Sequence, residues 1–293
     1  MQQATTTTCL TPVRPYDLRA SASGASGGTR RWEGPVLRVA LATPAGPARA
    51  AVAQRPDGDL DVAVRGADTD AALDALRFVL AIDDDHAPFL RMARHDPRLA
   101  STAVRHEGYR PARTGSVAQA VLAAACGQLV TGAEAARMQA AITRMAMPPG
   151  DDGLVTPPDA GALLRVSAAR MTSTGLAARR ATAVRRLLRG LDVERLRAVD
   201  TPAAIARITR DPWMGAWSAG VICTEGLGRF DAPVVGDLGL MRIVARETGT
   251  WPEPDDTRAL VEGYGEWAGL AAMYLLRHPH ARSKTGVLAA RAA

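Results

Sequence analysis

Apolar and polar residues alternate between residues 36 and 65, and turn-forming residues separate the alternating runs. The pattern predicts strands over residues 36–41, 48–55 and 59–65, with Pro-Ala-Gly-Pro and Pro-Asp-Gly turns between them. A period of two places every second side chain on the same face of a strand. The segment therefore predicts an antiparallel meander with one buried face.

The following segment has a helical period. Between Asp68 and Ile82 the apolar residues share one face of an amphipathic helix, and they are Ala72, Leu73, Leu76, Val79 and Leu80. Upstream, residues 1–34 are rich in Thr, Ser, Gly and Ala, and we predict a flexible loop at 21–28. Residues 1–85 therefore predict a small α/β domain with an antiparallel sheet.

From Asp84 onward the pattern predicts helices and no strand. We predict helical segments over 86–94, 94–109, 117–130, 132–145, 159–166, 175–189, 192–199, 202–210, 254–264 and 267–276. Ser116 and Gln119 have the spacing of a capping box before the third of these. The predicted fold class is α+β, with an antiparallel-sheet domain at 1–85, an all-α domain at 86–280 and a disordered tail at 281–293.

The stretch from Ile205 to Val244 predicts a helix, a tight turn and a second helix. The first helix ends near Arg210, Pro and Gly mark a turn at 211–215, and the second helix begins at Ala216. This is a compact hairpin of two helices.

After the second helix, the chain is predicted to break at Gly226, Gly228 and Pro233 before an apolar helix over 238–244. Asp237 stands immediately before this helix. An Asp at such a position is ordinarily an N-cap, because its side chain accepts from the free amides of the first turn. A capping role and a catalytic role both remain open on the residues alone.

Charge and composition narrow the function classes. The net charge is +6 and the isoelectric point is near 9.9, which suits nucleic acid but also a merely soluble basic protein. No apolar run is long enough to span a membrane. The N-terminal residues lack the basic and apolar regions of a signal peptide, so we expect a cytoplasmic, nucleoid-associated protein.

Cysteine and lysine are scarce. Cys9, Cys126 and Cys223 are odd in number and far apart, which argues against a disulfide framework and a four-thiolate metal site. The five histidines show no metal-ligand spacing. Of the 36 basic residues only Lys284 is a lysine. An amine nucleophile would therefore have to be Lys284 or the N-terminus.

The hairpin at 212–219 (PWMGAWSA), the later VVGDLGL, and CGQLVT at 126–131 together resemble the helix-hairpin-helix DNA glycosylase superfamily. Within it the chain looks most like bacterial alkylpurine glycosylases of the 3-methyladenine DNA glycosylase II type. The resemblance covers roughly residues 12–277, and it implies the same two-domain fold with DNA bound in a basic cleft between helical halves.

The resemblance implies that Asp237 is the catalytic carboxylate. It also implies a base pocket lined by Trp217, Trp267, Val221 and Gln128. The pocket departs from the family pattern at Val221, where the family has a tyrosine. On the residues alone, the alternative is that both tryptophans are core residues.

The DNA contacts implied by the resemblance lie at two places. Leu129, beside Gln128, would enter the duplex and fill the gap left by the flipped nucleotide; the alternative is a core Leu and a C-capping Gln. The hairpin would bind a phosphate through the backbone, at Trp213, Met214, Gly215, Ala216 and Ser218. It departs from the family's Gly-hydrophobic-Gly, because Trp213 replaces the first Gly.

The family also binds an alkali ion through backbone carbonyls of this loop, and the matching positions here are Thr209, Asp211 and Met214. No other cofactor is expected. In members that also cut the DNA backbone, a lysine stands where this chain has Trp217, so the resemblance implies a monofunctional enzyme.

We therefore expect a monomeric enzyme that acts on double-stranded DNA with damaged bases. It would flip out N-alkylated purines such as 3-methyladenine and 7-methylguanine and hydrolyse the N-glycosidic bond. Two alternatives stay open: a non-catalytic DNA-binding or lesion-sensing protein of the same fold, and a glycosylase for a bulkier alkyl lesion that the smaller Val221 admits. Arg179-Arg180 and Arg185-Arg186 are interpreted as solvated faces available to phosphate.

Overall fold

The structure, a computed structural model, describes residues 4–278 and residue 281. Its strands are β1 (Ala4–Leu10), β2 (Arg30–Glu33), β3 (Val36–Thr43), β4 (Gly46–Gln54) and β5 (Leu60–Gly66). Apart from residue 281, the tail predicted to be disordered lies outside the described residues, as do His280 and Lys284. The α+β class is confirmed.

The α-helices follow in chain order. They are α1 (Leu18–Ser21), α2 (Thr69–Leu80), α3 (Ala87–His95), α4 (Ala100–Arg105), α5 (Val117–Gly127), α6 (Gly132–Ala146), α7 (Ala160–Arg165), α8 (Ala168–Thr172), α9 (Ala178–Gly190), α10 (Thr201–Ile208), α11 (Ala216–Val221), α12 (Leu238–Thr248), α13 (Asp256–Ala259) and α14 (Ala268–Leu275). Two 3₁₀ segments, Val193–Ala198 and Glu262–Trp267, and a π-helical segment, Ile222–Leu227, complete the helical part. None of the described helices is long and apolar enough to cross a membrane.

The chain divides into two compact units. The first, which we call the sheet unit, comprises the residues up to Asp84 together with Gly108–Val199 and Glu225–Gly228. The second, the hairpin unit, comprises Asp85–Glu107, Asp200–Thr224 and the residues from Arg229 onward. Each unit is therefore built from segments that are not contiguous, whereas the predicted division near residue 85 is sequential.

The five strands of the sheet unit form one antiparallel sheet in the order β1-β5-β4-β3-β2. The three predicted strands are confirmed as β3, β4 and β5. Buried side chains alternate along β4 and β5, whereas β3 buries Val39, Ala40 and Leu41 in succession. The core shared by the strands and α2 includes Leu37, Val39, Leu41, Val52, Leu60, Val62, Val64, Leu76 and Leu80. The predicted amphipathic helix is thus the cover of the sheet.

The sequence pattern missed two strands, β1 and β2. β1 pairs with β5 along its whole length, from Ala4 opposite Gly66 to Leu10 opposite Leu60. Its side chains are exposed or half-buried, so no apolar alternation marks it. β-Branched Thr residues favour extended backbone, and an edge strand needs only one partner.

Helix α5 is the buried centre of the helices in the sheet unit, with nine buried residues of eleven. The predicted cap is present, because Ser116 Oγ accepts from the Gln119 amide at 3.0 Å. The predicted reciprocal bond is not: Gln119 Oε1 accepts from Gly115 N at 3.1 Å. A complete capping box occurs instead at Thr131 and Glu134, which open α6.

The hairpin unit contains an aromatic cluster. The Phe89 ring packs against Tyr274, Tyr264 and Trp267, with centroids 5.0, 5.9 and 6.4 Å away. The hydroxyls of two of these rings are satisfied, since Tyr264 donates to Asp96 and Tyr274 donates to a backbone carbonyl. This cluster holds α3 and α14 together.

Candidate functional site

The predicted tight turn after α10 is organised by Asp211. Its buried side chain accepts from Trp213 N at 3.0 Å, and its carbonyl accepts from Met214 N at 2.9 Å. Met214 is also fully buried. The amides of Trp213 and Met214 are therefore used inside the turn, and the second helix begins at Ala216 as predicted.

The start of α11 is open to solvent. Gly215 is its N-cap and provides no side-chain cap, so the first-turn amides have no capping acceptor of that kind. Gly215 and Ala216 are exposed, and the Trp213 side chain beside them is 43% exposed. Ser218 is buried. The phosphate-binding role of these residues stays a prediction. Within the hairpin, the amides of the first turn of α11 are the groups that could bind a phosphate.

The predicted break at Gly226 is wrong. Helix α11 runs on as a π-helical segment through Leu227. Gly226 serves a close approach instead, because a Cβ there would lie 2.7 Å from the Ala120 side chain of α5. A glycine in a helical run signalled packing rather than a helix end.

Asp237 is the N-cap of α12, as predicted, and both of its carboxylate oxygens have donors. Oδ1 accepts from Gly239 N at 2.7 Å, and Oδ2 accepts from the indole Nε1 of Trp217 at 2.9 Å. The side chains of Asp237 and Trp217 are half-buried. The carboxylate is therefore held in one orientation with part of its surface open to solvent.

The bond between Trp217 and Asp237 joins two residues that were singled out separately. The resemblance implies a pocket aromatic and a catalytic carboxylate, but no spacing rule aims an indole N–H at a carboxylate twenty positions away. A Trp nitrogen can only donate. Trp217 therefore positions the carboxylate as well as presenting a ring.

Gly236 and Thr257 support the backbone at Asp237, and sequence reasoning missed the second of them. Gly236 has a φ of 80°, a left-handed conformation that a glycine adopts at little cost. Its amide donates to the buried Thr257 Oγ1 at 2.8 Å, and that hydroxyl donates to the carbonyl of Pro254. The turn before the carboxylate is thus fixed by α13.

Two glycines allow α11 and α14 to pack closely against the segment just upstream of this turn. A Cβ on Gly220 of α11 would lie 2.5 Å from the carbonyl oxygen of Pro233, and one on Gly269 of α14 would lie 2.7 Å from that of Ala232. Gly269 N also donates to the carbonyl of Phe230 at 2.6 Å. The chain that leads to Asp237 therefore lies directly against both helices.

Trp267 lies in the aromatic cluster at the start of α14. Its ring contacts Phe89 and the buried His86, with the His86 centroid 6.0 Å away. It is half-buried, as is Val221. Both belong to the hairpin unit with Trp217 and Asp237, and their assignment to a base pocket stays a prediction.

Gln128 and Leu129 belong to the sheet unit. Gln128 is the C-cap residue of α5, as the capping interpretation predicted. Leu129 is 72% exposed and has a φ of 54°, so the interpretation as a core residue is wrong. Left-handed backbone costs a non-glycine residue about 1–2 kcal/mol. An exposed Leu in that conformation gains no burial energy in return.

The three carbonyls assigned to an alkali ion all belong to the hairpin turn or its approach. The carbonyl of Asp211 accepts from Met214 N, and a backbone carbonyl oxygen carries two lone pairs. Thr209 is the C-cap residue of α10, so its carbonyl is at a helix end. This donor set fits a weakly bound alkali ion, and ion binding stays a prediction.

A comparison with protein-family models gives no match, and a comparison with curated protein sequences gives none either. Solved structures are similar. A 3-methyladenine DNA glycosylase from Archaeoglobus fulgidus superposes with a TM-score of 0.82 at 17% identity, over 95% of this chain and 100% of that one.

Two further similar structures contain DNA. MBOgg1 in complex with a low-affinity DNA ligand has a TM-score of 0.75 at 14% identity, covering 96% and 99% of the two chains. The 8-oxoguanine glycosylase/lyase of Clostridium acetobutylicum, bound to duplex DNA, has a TM-score of 0.71 at 14% identity, covering 89% and 90%. At these identities the similarity establishes that the chain has the fold seen in these glycosylases.

Proposed function

We propose that this protein is a monofunctional DNA glycosylase for N-alkylated purines. One observation carries the proposal: Asp237 presents a half-buried carboxylate whose two oxygens are held by Trp217 Nε1 and Gly239 N. The fold of the similar structures, which are glycosylases by name, supports the reaction class. Double-stranded DNA with a damaged base is the proposed substrate.

In the proposed reaction, the N-glycosidic bond breaks with its electron pair passing to the base nitrogen. Positive charge then develops on the sugar, as in glycoside hydrolysis generally. The Asp237 carboxylate stabilises that charge, because it is oriented before the reaction begins. Water adds to C1′ and loses a proton, and the products are the free base and an abasic site.

An alkylated purine suits a site with a single carboxylate. Alkylation at a ring nitrogen makes the base cationic, so the base leaves as a neutral molecule without an acid to protonate it. The rings of Trp217 and Trp267 are the proposed walls of the pocket, where a cationic base gains roughly 0.5–2 kcal/mol from each electron-rich face.

The composition favours a hydrolytic over a lyase reaction. Lys284 is the only lysine, and the position of a lyase's lysine is occupied by Trp217. Water is therefore the proposed nucleophile, and the phosphodiester backbone is left intact.

The test is base release from duplex DNA methylated randomly at purines. Released bases are separated by chromatography, and strand breaks are measured before and after alkali. We expect free 3-methyladenine or 7-methylguanine with breaks that form only after alkali. Breaks without alkali would contradict the monofunctional reaction. DNA binding without release of any base would favour the bulkier-lesion enzyme or the non-catalytic DNA-binding protein.

Replacing Trp217 by Phe tests the positioning bond. Phe keeps an aromatic ring but removes the Nε1 donor that Asp237 Oδ2 accepts. A hydrogen bond to a charged group contributes about 1.5–3 kcal/mol, so we expect single-turnover base release about 10- to 100-fold slower. Trp251→Phe, in the same unit and also half-buried, is the control. Equal rates for Trp217→Phe and the wild type would refute the positioning role.

Replacing Leu129 by Ala tests the proposed wedge. Leu129 is exposed, so the unfolding free energy should change by less than about 0.5 kcal/mol. Loss of the wedge should weaken binding to duplexes with an abasic-site analogue about tenfold, since unstacking costs a few kcal/mol. Val104→Ala, at 62% exposure in the hairpin unit, is the matched control. A Leu129→Ala variant that binds as tightly as the wild type rules the wedge out.

A further inference from the structure

One segment of the sheet unit holds the net positive charge of the chain. Residues 160–191 contain seven arginines and no Asp or Glu. The whole chain has 36 basic and 30 acidic residues, so the remainder has 29 basic and 30 acidic and is nearly neutral. The net charge of +6 is therefore not spread over the protein but belongs to α7, α8 and α9.

The fold gathers part of this charge on one face of α9. Thr182, Arg185, Arg186 and Arg189 follow the i, i+3, i+4, i+7 spacing of a single helical face. Together with Ala168 of α8 they line an open cleft of about 580 Å³. We call these residues, with Gly190, the arginine cleft.

The wall of the arginine cleft is fixed. Arg185 Nη1 donates to the carbonyl of Leu164 at 2.7 Å and to that of Val166, which lie at the end of α7. Arg186 and Arg189 are exposed at the rim. The opposite face of α9, including Arg180, is buried, so the interpretation of Arg180 as solvated is wrong.

The arginines on this face of α9 work against the stability of the helix. Like charges at i+3 and i+4 repel one another and destabilise a helix. The helix dipole favours a cation only in the last turn, where Arg189 lies. Residues 160–191 contain no Asp or Glu that could offset this repulsion within the segment. A polyanionic partner would relieve the repulsion.

We propose that the arginine cleft binds the sugar–phosphate backbone of duplex DNA, as a second contact in addition to the hairpin. A guanidinium matches two phosphate oxygens at once, and a concave face with several arginines can follow successive phosphates without reading the sequence. This inference rests on the proposed function for its choice of DNA as the polyanion, but it concerns undamaged DNA and needs no base release.

The experiment measures the binding of a short fluorescent, undamaged duplex by anisotropy over a series of salt concentrations. The variant is Arg186→Gln/Arg189→Gln, and the control is Arg55→Gln/Arg65→Gln, which removes the same charge from exposed positions of β5 and the turn before it. Each phosphate contact contributes about −0.9 to the slope of log K against log salt. We expect the cleft variant to bind about tenfold more weakly with a slope shallower by about 2, and the control to match the wild type.

An unchanged slope in the cleft variant would overturn the proposal, as would equal losses in the cleft variant and the control. Polyglutamate serves as a second probe in the same experiment. If the cleft variant lost binding to polyglutamate but kept its affinity for DNA, the proposal would also be overturned, and the cleft would be assigned to an acidic protein. A different result would contradict the proposed function, namely that the wild-type protein binds DNA but releases no base. That result leaves the salt-slope comparison intact. Circular dichroism melting of both variants verifies the fold.

Discussion

Asp237→Asn is expected to lower single-turnover base release from methylated duplex DNA by about 100- to 1,000-fold, while the affinity for DNA stays within about twofold. The carboxylate stabilises positive charge that exists only as the glycosidic bond breaks, and losing one oriented electrostatic group costs a rate factor of this size. Asn caps a helix about as well as Asp, so α12 keeps its N-cap. The measurement is the rate of free-base formation with enzyme in excess.

Asp231→Asn is the matched control for this prediction. Asp231 is an exposed carboxylate in the same unit, six positions upstream, and it accepts from Thr201 Oγ1 at 2.8 Å. It should release base at the wild-type rate. If Asp237→Asn kept the wild-type rate too, or if both variants lost it equally, Asp237 would have no specific role.

Gly220→Ala is expected to lower the unfolding free energy by about 3 kcal/mol and base release with it. The new Cβ would lie 2.5 Å from the carbonyl oxygen of Pro233, which is backbone and cannot rotate away. Relief requires a shift of the segment that leads to Asp237. The measurement is urea unfolding followed by circular dichroism, with base release measured on the same preparation.

Gly263→Ala separates this steric effect from a general sensitivity to substitution. A Cβ on Gly263 would have no heavy atom of the described residues within 4 Å, so the Gly263→Ala variant should be as stable as the wild type. Gly269→Ala should behave as Gly220→Ala does, because its Cβ meets the carbonyl of Ala232. A Gly220→Ala variant of wild-type stability would mean that the segment can move at little cost.

The sequence predicted elements best where one face is strongly apolar. β3, β4, β5 and α2 carry clear two- or 3.6-residue periods because each buries one face in the same core. β1 was missed because an edge strand of threonines is stabilised by pairing with β5, and that long-range contact leaves no local pattern. The π-helical extension of α11 was missed for a related reason, since a local glycine rule was overridden by packing against Ala120.

For the candidate site, the sequence located residues but not their contacts. Asp237 and the hairpin turn were found because capping and turn formation depend on neighbouring residues. The bond from Trp217 and the support from Thr257 depend on how separate helices pack, which spacing does not encode. The exposure of Leu129 could not be read from its apolar character.

The central claim is that Asp237 stabilises positive charge on the sugar. The most direct test compares the binding of duplexes containing a cationic pyrrolidine abasic analogue with duplexes containing a neutral tetrahydrofuran one. We predict that wild-type protein prefers the cationic analogue by about 100-fold, since such analogues resemble the transition state, and that Asp237→Asn loses this preference while binding the neutral duplex normally. The same preference in both proteins would contradict the claim.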